Sequence, residues 1–165
     1  MKSGIYLSFA ALLIAFSIGM GSCRKNKVKG CTDTNATNYS VDAEEDNGTC
    51  EYERDKFLGN WDGTKNCVLN PLDSTTVISI TRDAANIKGI ILNDFPDDGL
   101  KANAVVNNSD PDKFVIPSQT IVNDLDQYSL SGDGVVYQNT MVINFLRIYD
   151  VSTIDTCGMG LDKIQ

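Results

Sequence analysis

Residues 74–107 read STTVISITRDAANIKGIILNDFPDDGLKANAVVN. Three runs rich in β-branched and apolar residues, 74–81, 86–93 and 100–107, are set apart by polar or glycine-containing segments. Short apolar runs bounded by turn chemistry read as strands rather than helices. In the third run the two-residue period puts Ala102, Ala104 and Val106 on one face and Lys101, Asn103 and Asn107 on the other. FPDDG at 95–99 is strong punctuation, because Pro fixes φ while Asp and Gly tolerate turn backbones.

The same pattern continues outward. KFVIPSQTIV at 113–122, QYSLSG at 127–132, GVVYQ at 134–138 and TMVINFLRIY at 140–149 read as further strands. A first strand is expected around Trp61–Val68 and a last around Val151–Cys157. SGDG at 131–134 predicts a hairpin between two short strands. Pro117 marks an edge, a bulge or a strand boundary, since it cannot donate to a ladder. Beyond the N-terminal apolar segment, no ten-residue stretch carries a helical stripe. Eight or nine short strands imply an all-β domain, expected as a closed or nearly closed antiparallel barrel that removes its own edges, with a β-sandwich as the alternative.

Composition narrows the chemistry. The 165 residues include 14 Lys plus Arg, 22 Asp plus Glu and no His, for a net charge of -8. A chain this acidic is not expected to bind nucleic acid, which is held through clusters of Lys and Arg. Without His, neither a Ser-His-Asp nor a Cys-His arrangement can form, and the commonest general base and metal ligand is missing. Paired carboxylates are the remaining route to catalysis, as in glycoside hydrolysis. Asp97, Asp98, Asp124, Asp126, Asp133 and Asp150 are available, but most lie in turn-like segments where a solvated role is expected. The protein is therefore not expected to be an enzyme.

The N-terminus supplies an address. Lys2 precedes the apolar run GIYLSFAALLIAFSIGM at 4–20, and small residues lead to Cys23 in GMGSC at 19–23. MGSC resembles the lipobox of bacterial lipoproteins. The resemblance implies that residues 1–22 are a signal peptide, that Cys23 becomes the acylated first residue, and that 23–29 (CRKNKVK) is a tether to the outer membrane. Several acyl chains give stable anchoring. The five cysteines agree, because removing Cys23 leaves Cys31, Cys50, Cys67 and Cys157, an even set. Of their three connectivities, Cys31 with Cys50 and Cys67 with Cys157 keeps each bridge within one unit: a small module at 30–53 and the β domain at 54–165. In a barrel the second bridge would join the first strand to the last.

GCTDTNATNYSVDAEEDNGTCEY at 30–52 resembles a cysteine-bounded module of exported proteins of the Bacteroidota. Gly30, Cys31, Thr32, Asp33, Ala36, Asn38, Tyr39, Ala43, Asp46, Gly48, Thr49, Cys50 and Tyr52 match its recurring positions, and Thr34 departs from its common proline. The resemblance implies lineage and export rather than chemistry. A bridge closing about 20 residues contributes roughly 3 kcal/mol in the chain-entropy account, which suits a unit too small for its own core. Tyr39 and Tyr52 are expected to form a small aromatic contact, and Asn35, Asn38 and Asn47 to form Asx-turns. Calcium is a secondary reading, with Asp33, Asp42, Glu44 and Asp46 as hard oxygen ligands, although the spacing is not that of an EF-hand. A solvated, stapled polar loop is the primary one, with no cofactor.

GNW at 59–61 resembles the G-x-W signature of lipocalin-like barrels, which implies that Trp61 closes one end of the barrel. Trp61, Tyr128 and Tyr137 are the candidate ligand or barrel-end contacts, and Phe114, Phe145 and Tyr149 could join them in lining or filling the interior. The short domain favours a packed interior or a narrow cleft. IPSQT at 116–120 resembles a segment of small Bacteroidota lipoproteins, and DST at 73–75 resembles a bacterial O-glycosylation acceptor. Together these features imply a lipid-anchored envelope protein acting as a binding or accessory component. The alternative is a structural subunit of an outer-membrane protein complex, and a carbohydrate-active enzyme is third. Surface-exported relatives of this type resemble one another in acidic residues after the lipidated cysteine. Arg24, Lys25, Lys27 and Lys29 stand there instead, favouring the periplasmic face over the cell surface.

Overall fold

The computed structural model describes residues 26–69, 74–122 and 127–164. The segment 1–22 expected to be a signal peptide, Cys23, Asp73, Asp124 and Asp126 lie outside these residues.

Two very short strands come first. β1 (Lys29–Gly30) pairs in parallel with β2 (Glu45–Asp46). The backbone pairing starts at Val28, whose carbonyl accepts from Glu44 N at 2.8 Å, so the module takes in residues the sequence assigns to the tether. A unit with almost no apolar core gains order this way, by satisfying backbone groups. The Cys31–Cys50 bridge closes it, with Cys31 and Ala36 its buried apolar residues.

A five-residue 3-10 helix, Glu53–Phe57, leads into the barrel. Eight strands follow: β3 (Gly59–Cys67), β4 (Ser74–Arg82), β5 (Gly89–Asn93), β6 (Lys101–Val106), β7 (Lys113–Val122), β8 (Gln127–Tyr137), β9 (Thr140–Ile148) and β10 (Ile154–Lys163). Each pairs antiparallel with its neighbour in sequence, and β10 returns to β3 to close the barrel. This is the lipocalin-like, up-and-down arrangement. The Cys67–Cys157 bridge joins register partners on β3 and β10, so the covalent link sits on the closing seam.

Alternation sets the two faces of the wall. Ile78, Ile80, Ile90, Leu92, Ala102, Ala104, Leu130, Met141 and Ile143 point inward and are buried. Asp62, Asn66, Lys101, Asn103, Asp133 and Asn144 point outward and are exposed. An apolar interior with a polar exterior is the reverse of a membrane-spanning barrel, whose lipid-facing band is apolar.

Two expectations about strands need correction. SGDG at 131–134 is no hairpin; it lies within the continuous strand β8, and the actual reversal joins Tyr137 to Thr140. The glycines serve packing instead of turning. A Cβ on Gly134 would sit 2.1 Å from Phe114 Cζ, and one on Gly132 would sit 2.3 Å from the Asn144 carbonyl oxygen. Residues 127–132 and 134–138 are therefore one strand, and the barrel has eight. The last strand begins at Ile154 rather than Val151 and runs on to Lys163, because Met159 and Leu161 continue the inward-facing alternation.

Pro117 sits at a bulge. The β7–β8 register shifts between Ile116 and Gln119, and the inward-facing residues change from Phe114 and Ile116 to Ile121. One inserted residue resets the two-residue period in this way.

Candidate functional site

The two ends of the barrel are built differently, and both are covered. At the first, the 3-10 helix lays Phe57 over the interior, edge-on to Phe114 with ring centroids 5.3 Å apart. Trp61 is fully buried beneath it, and its indole Nε1 donates to the Phe57 carbonyl at 2.8 Å. The Lys163 ammonium stands 5.2 Å from the indole centroid and donates to the Lys56 carbonyl at 3.2 Å. A buried indole N–H needs an acceptor, and the helix backbone supplies it.

At the opposite end, the β5–β6 loop folds over the opening. Phe95 and Pro96 are buried, Phe95 packs edge-on against Phe145 at 5.0 Å, and Asp94 takes a positive φ of 57° to turn the chain inward. Asp97 then bridges two cations, pairing with Lys65 and with Arg147 Nη1 at 3.1 Å. Arg147 Nη2 donates to buried Asp155 at 2.8 Å and lies 3.1 Å from Cys67 Sγ. Asp155 is satisfied on both oxygens, its Oδ1 accepting from Leu69 N at 2.9 Å. Two carboxylates and two cations thus offset one another, which makes an ionic group tolerable at a nearly dry barrel end.

Tyr128 lies beside this network and is 3% exposed. Its ring is tilted against Tyr149 with centroids 5.2 Å apart, and its buried hydroxyl has no hydrogen-bond partner among the described residues. Burial, reinforced by the charge of Asp97, pushes its pKa up to about 12. The charged phenolate is the form that desolvation penalises.

Tyr137 does not line the interior. On β8 the inward positions are even-numbered from Tyr128 to Val136, so Tyr137 points outward and is 64% exposed. It stands at the β8–β9 reversal, where Gln138 holds a left-handed backbone with φ of 56°. Together with Asn139, Thr140 and the Lys56–Asp112 ion pair, these residues line an open groove of about 660 Å³. Sequence reasoning singled out Tyr137 as an aromatic but not its neighbours, because Lys56 and Asp112 come from distant segments that meet it only in the closed barrel.

The acidic residues of the module are not drawn together. Asp33 Oδ1 accepts from the Asn35 backbone and amide at 2.9 and 3.0 Å, and its Oδ2 accepts from the Tyr52 hydroxyl at 2.8 Å. The Asn35 backbone hydrogen bond, then those from Tyr52 and the Asn35 amide, hold the Asp33 pKa below its ordinary value. Asp46 accepts from Gly48 N at 2.8 Å, while Asp42 and Glu44 belong to no cluster with Asp33. The secondary calcium set, Asp33, Asp42, Glu44 and Asp46, therefore forms no ligand cluster among the described residues. Asn47 forms an Asx-turn to Thr49, but Asn38 spans the module to Thr49 and Glu51, and Asn35 donates to Asp33. Tyr52 lies against the guanidinium groups of Arg54 and Arg82 rather than against Tyr39, which is 43% exposed.

Among the described residues, the metal-ligand grouping that does occur is Cys67, Asp155 and Cys157. Its two sulfurs are bonded to each other and face Arg147, so they offer no thiolate pair to a cation. Of the carboxylates considered for catalysis, Asp97 is taken up by Lys65 and Arg147. Asp133 faces outward from mid-strand instead of sitting in a turn, and Asp98 is exposed. Asp150 caps its own loop, accepting from Ser152 N, Ser152 Oγ and Thr153 N at 2.7 to 2.8 Å. The Ser152 side chain, then its backbone, lower its pKa to about 2. No protein-family model matches the chain, and no curated protein matches it.

Proposed function

We propose that the protein is an exported, lipid-anchored binding or accessory component of the outer membrane, without catalytic activity, that meets its target with its exterior. The observation that carries this reading is the closure of both barrel ends, by Phe57 and Trp61 at one and by the Asp97–Arg147 loop at the other. Small-molecule sites need a concavity with convergent polar groups. The groove beside Tyr137 meets that description outside the barrel: one exposed ring flanked by amides, a hydroxyl and an ion pair. Its chemistry suits a neutral polar chain such as a glycan, which stacks on a ring and is oriented by amides.

The lipobox-like MGSC at 20–23 and the basic residues that follow it support a lipid-anchored protein on the periplasmic face. Intact-mass measurement should show a lipid-modified chain starting at Cys23, and an unprocessed Met1 would reject the anchor. Protease treatment of intact cells should leave the protein uncut. Recognition is tested by extracting the native protein mildly and identifying what co-purifies, with Tyr137→Ala alongside. Loss of a glycan in the variant supports the groove; an unchanged set of glycans refutes it.

A second reading, a subunit of an outer-membrane protein complex, is favoured by a different surface. Val105 and Val115 are register partners on β6 and β7, both exposed, and form an apolar spot on the outer wall. A co-purifying protein lost with Val115→Asp rather than Tyr137→Ala selects that alternative.

A further inference from the structure

Arg54 is a buried cation without a carboxylate. The residue is 8% exposed, and its Nη1 donates to three main-chain carbonyls of the β4–β5 turn: Asp83 at 2.8 Å, Asn86 at 2.6 Å and Gly89 at 3.0 Å. Its Nε is buried and has no hydrogen-bond partner among the described residues. Among the described residues, no Asp or Glu forms an ion pair with it. In a chain of net charge -8, leaving a buried guanidinium without a counter-charge is costly. The carbonyl dipoles offset that cost in part, and a complementary anion would offset more.

Space for one lies beside it. Arg54 borders a cavity of about 290 Å³ between the module and the barrel, shared with Asn35, Thr37, Tyr52, Ile87 and Lys88. Lys88 adds a second cation, whose ammonium donates to the uncharged amide of Asn108 and forms no ion pair among the described residues. Glu53 also borders the cavity, but Lys56 holds its carboxylate at 3.2 Å. Asn35 offers its side-chain amide, which gives one hydrogen bond to Asp33, while Thr37 gives its hydroxyl proton to the Glu51 carbonyl at 3.1 Å; Ile87 and Tyr52 offer apolar walls. Lys56 is shared with Asp112 at 2.7 Å, so the arrangement is a small cleft with one cation in excess, a little below the usual size range for organic ligands, which begins at about 300 Å³.

We infer that the cleft between the stapled module and the barrel is a binding site for a small organic oxyanion, a carboxylate or phosphate monoester, held by Arg54 and Lys88. The module then does more than space the barrel from its anchor: it supplies one wall of the site. This site is separate from the Tyr137 groove and does not depend on it.

Titration of the detergent-solubilised full chain with glucuronate, with glucose 1-phosphate and with glucose tests the inference. Saturable one-site binding of glucuronate or of the phosphate ester, with none for glucose, is expected, and the anion that binds identifies the class. Lys88→Gln should raise Kd at least tenfold without changing the circular dichroism spectrum, since Lys88 makes no buried contact. Tyr137→Ala should leave binding unchanged. Absence of saturable binding by either anion, or binding indifferent to Lys88→Gln, would overturn the proposal.

Discussion

The side-chain amide of Gln119 takes the place of a peptide group opposite Asn103. Its Oε1 accepts from Asn103 N at 2.9 Å, and its Nε2 donates to Asn103 O at 2.8 Å and to Pro117 O at 3.2 Å. The β6–β7 ladder pairs Val105 with Val115 and Val106 with Phe114, and continuing that register would place Asn103 opposite Pro117. Pro has no N–H to give. Gln119, two residues on and beyond the bulge, restores both halves of the missing pair. Truncation by Gln119→Ala should cost about 1 to 2 kcal/mol, two partly exposed hydrogen bonds. Gln119→Glu, which keeps the acceptor and loses the donor, should cost at least as much. Urea unfolding checks both, and a neutral Gln119→Ala would show that water serves Asn103 equally well.

Gly134 should not tolerate a methyl group. The Cβ of Gly134→Ala would fall inside the Phe114 ring, and overpacking of this kind costs about 1 to 3 kcal/mol. Gly160 offers the contrast, since a Cβ there meets nothing within 4 Å. Gly160→Ala should be close to neutral, and Phe114→Leu should relieve part of the Gly134→Ala penalty. Equal effects at the two glycines would contradict the packing described.

Removing the seam bridge should be the most damaging change to covalent structure. Cys67 and Cys157 are 90 residues apart, and closing a loop of that length contributes about 4 to 5 kcal/mol through the unfolded chain. The double variant Cys67→Ala/Cys157→Ala should lose a comparable amount. Loss of the Cys31–Cys50 bridge should leave barrel unfolding largely intact. Thermal denaturation followed by the near-ultraviolet signal of Trp61 separates the two.

Tyr128→Phe should be neutral or slightly stabilising, because it removes a buried hydroxyl that has no partner. The pH dependence has a definite sign. The folded pKa is raised to about 12 from 10, so the stability it represents is complete below about pH 10 and is lost as pH rises toward 12. Tyr52 is also raised, by its hydrogen bond to Asp33, so spectrophotometric titration should show Tyr128 among the late-ionising tyrosines, and Tyr128→Phe should remove one late step. A full complement of tyrosines titrating near 10 would refute its burial.

Asp150 behaves oppositely. Its lowered pKa means that its cap is present above about pH 4 and is lost as pH falls toward 2. Exchange of the Ser152 and Thr153 amides should accelerate in Asp150→Asn.

The strands were largely legible because inward and outward residues alternate cleanly, as at Ala102, Asn103 and Ala104. What misled was glycine. SGDG has the composition of a turn, and nothing local reveals that Gly132 and Gly134 sit opposite Phe145 and Phe114, contacts set by strands elsewhere in the chain. The ionic closure at Arg147 was illegible for a similar reason. Lys65, Asp97, Arg147 and Asp155 come from four separate segments and meet only once the barrel is closed. Arg54 gave no signal at all, since its partners are main-chain carbonyls that carry no residue identity.

Continuity of β8 also fixes parity. With a hairpin at 131–134 the barrel would hold nine strands, an odd count, and its first and last strands would run the same way along the closing seam. Eight is even, so β10 meets β3 antiparallel and the chain returns to the end at which it entered. Ile164 N accordingly donates to Asn60 O at 2.9 Å, beside the first residues of β3. Entry and exit therefore share the pole nearest the stapled module, and the pole formed by the Asp97 loop is turned away from both.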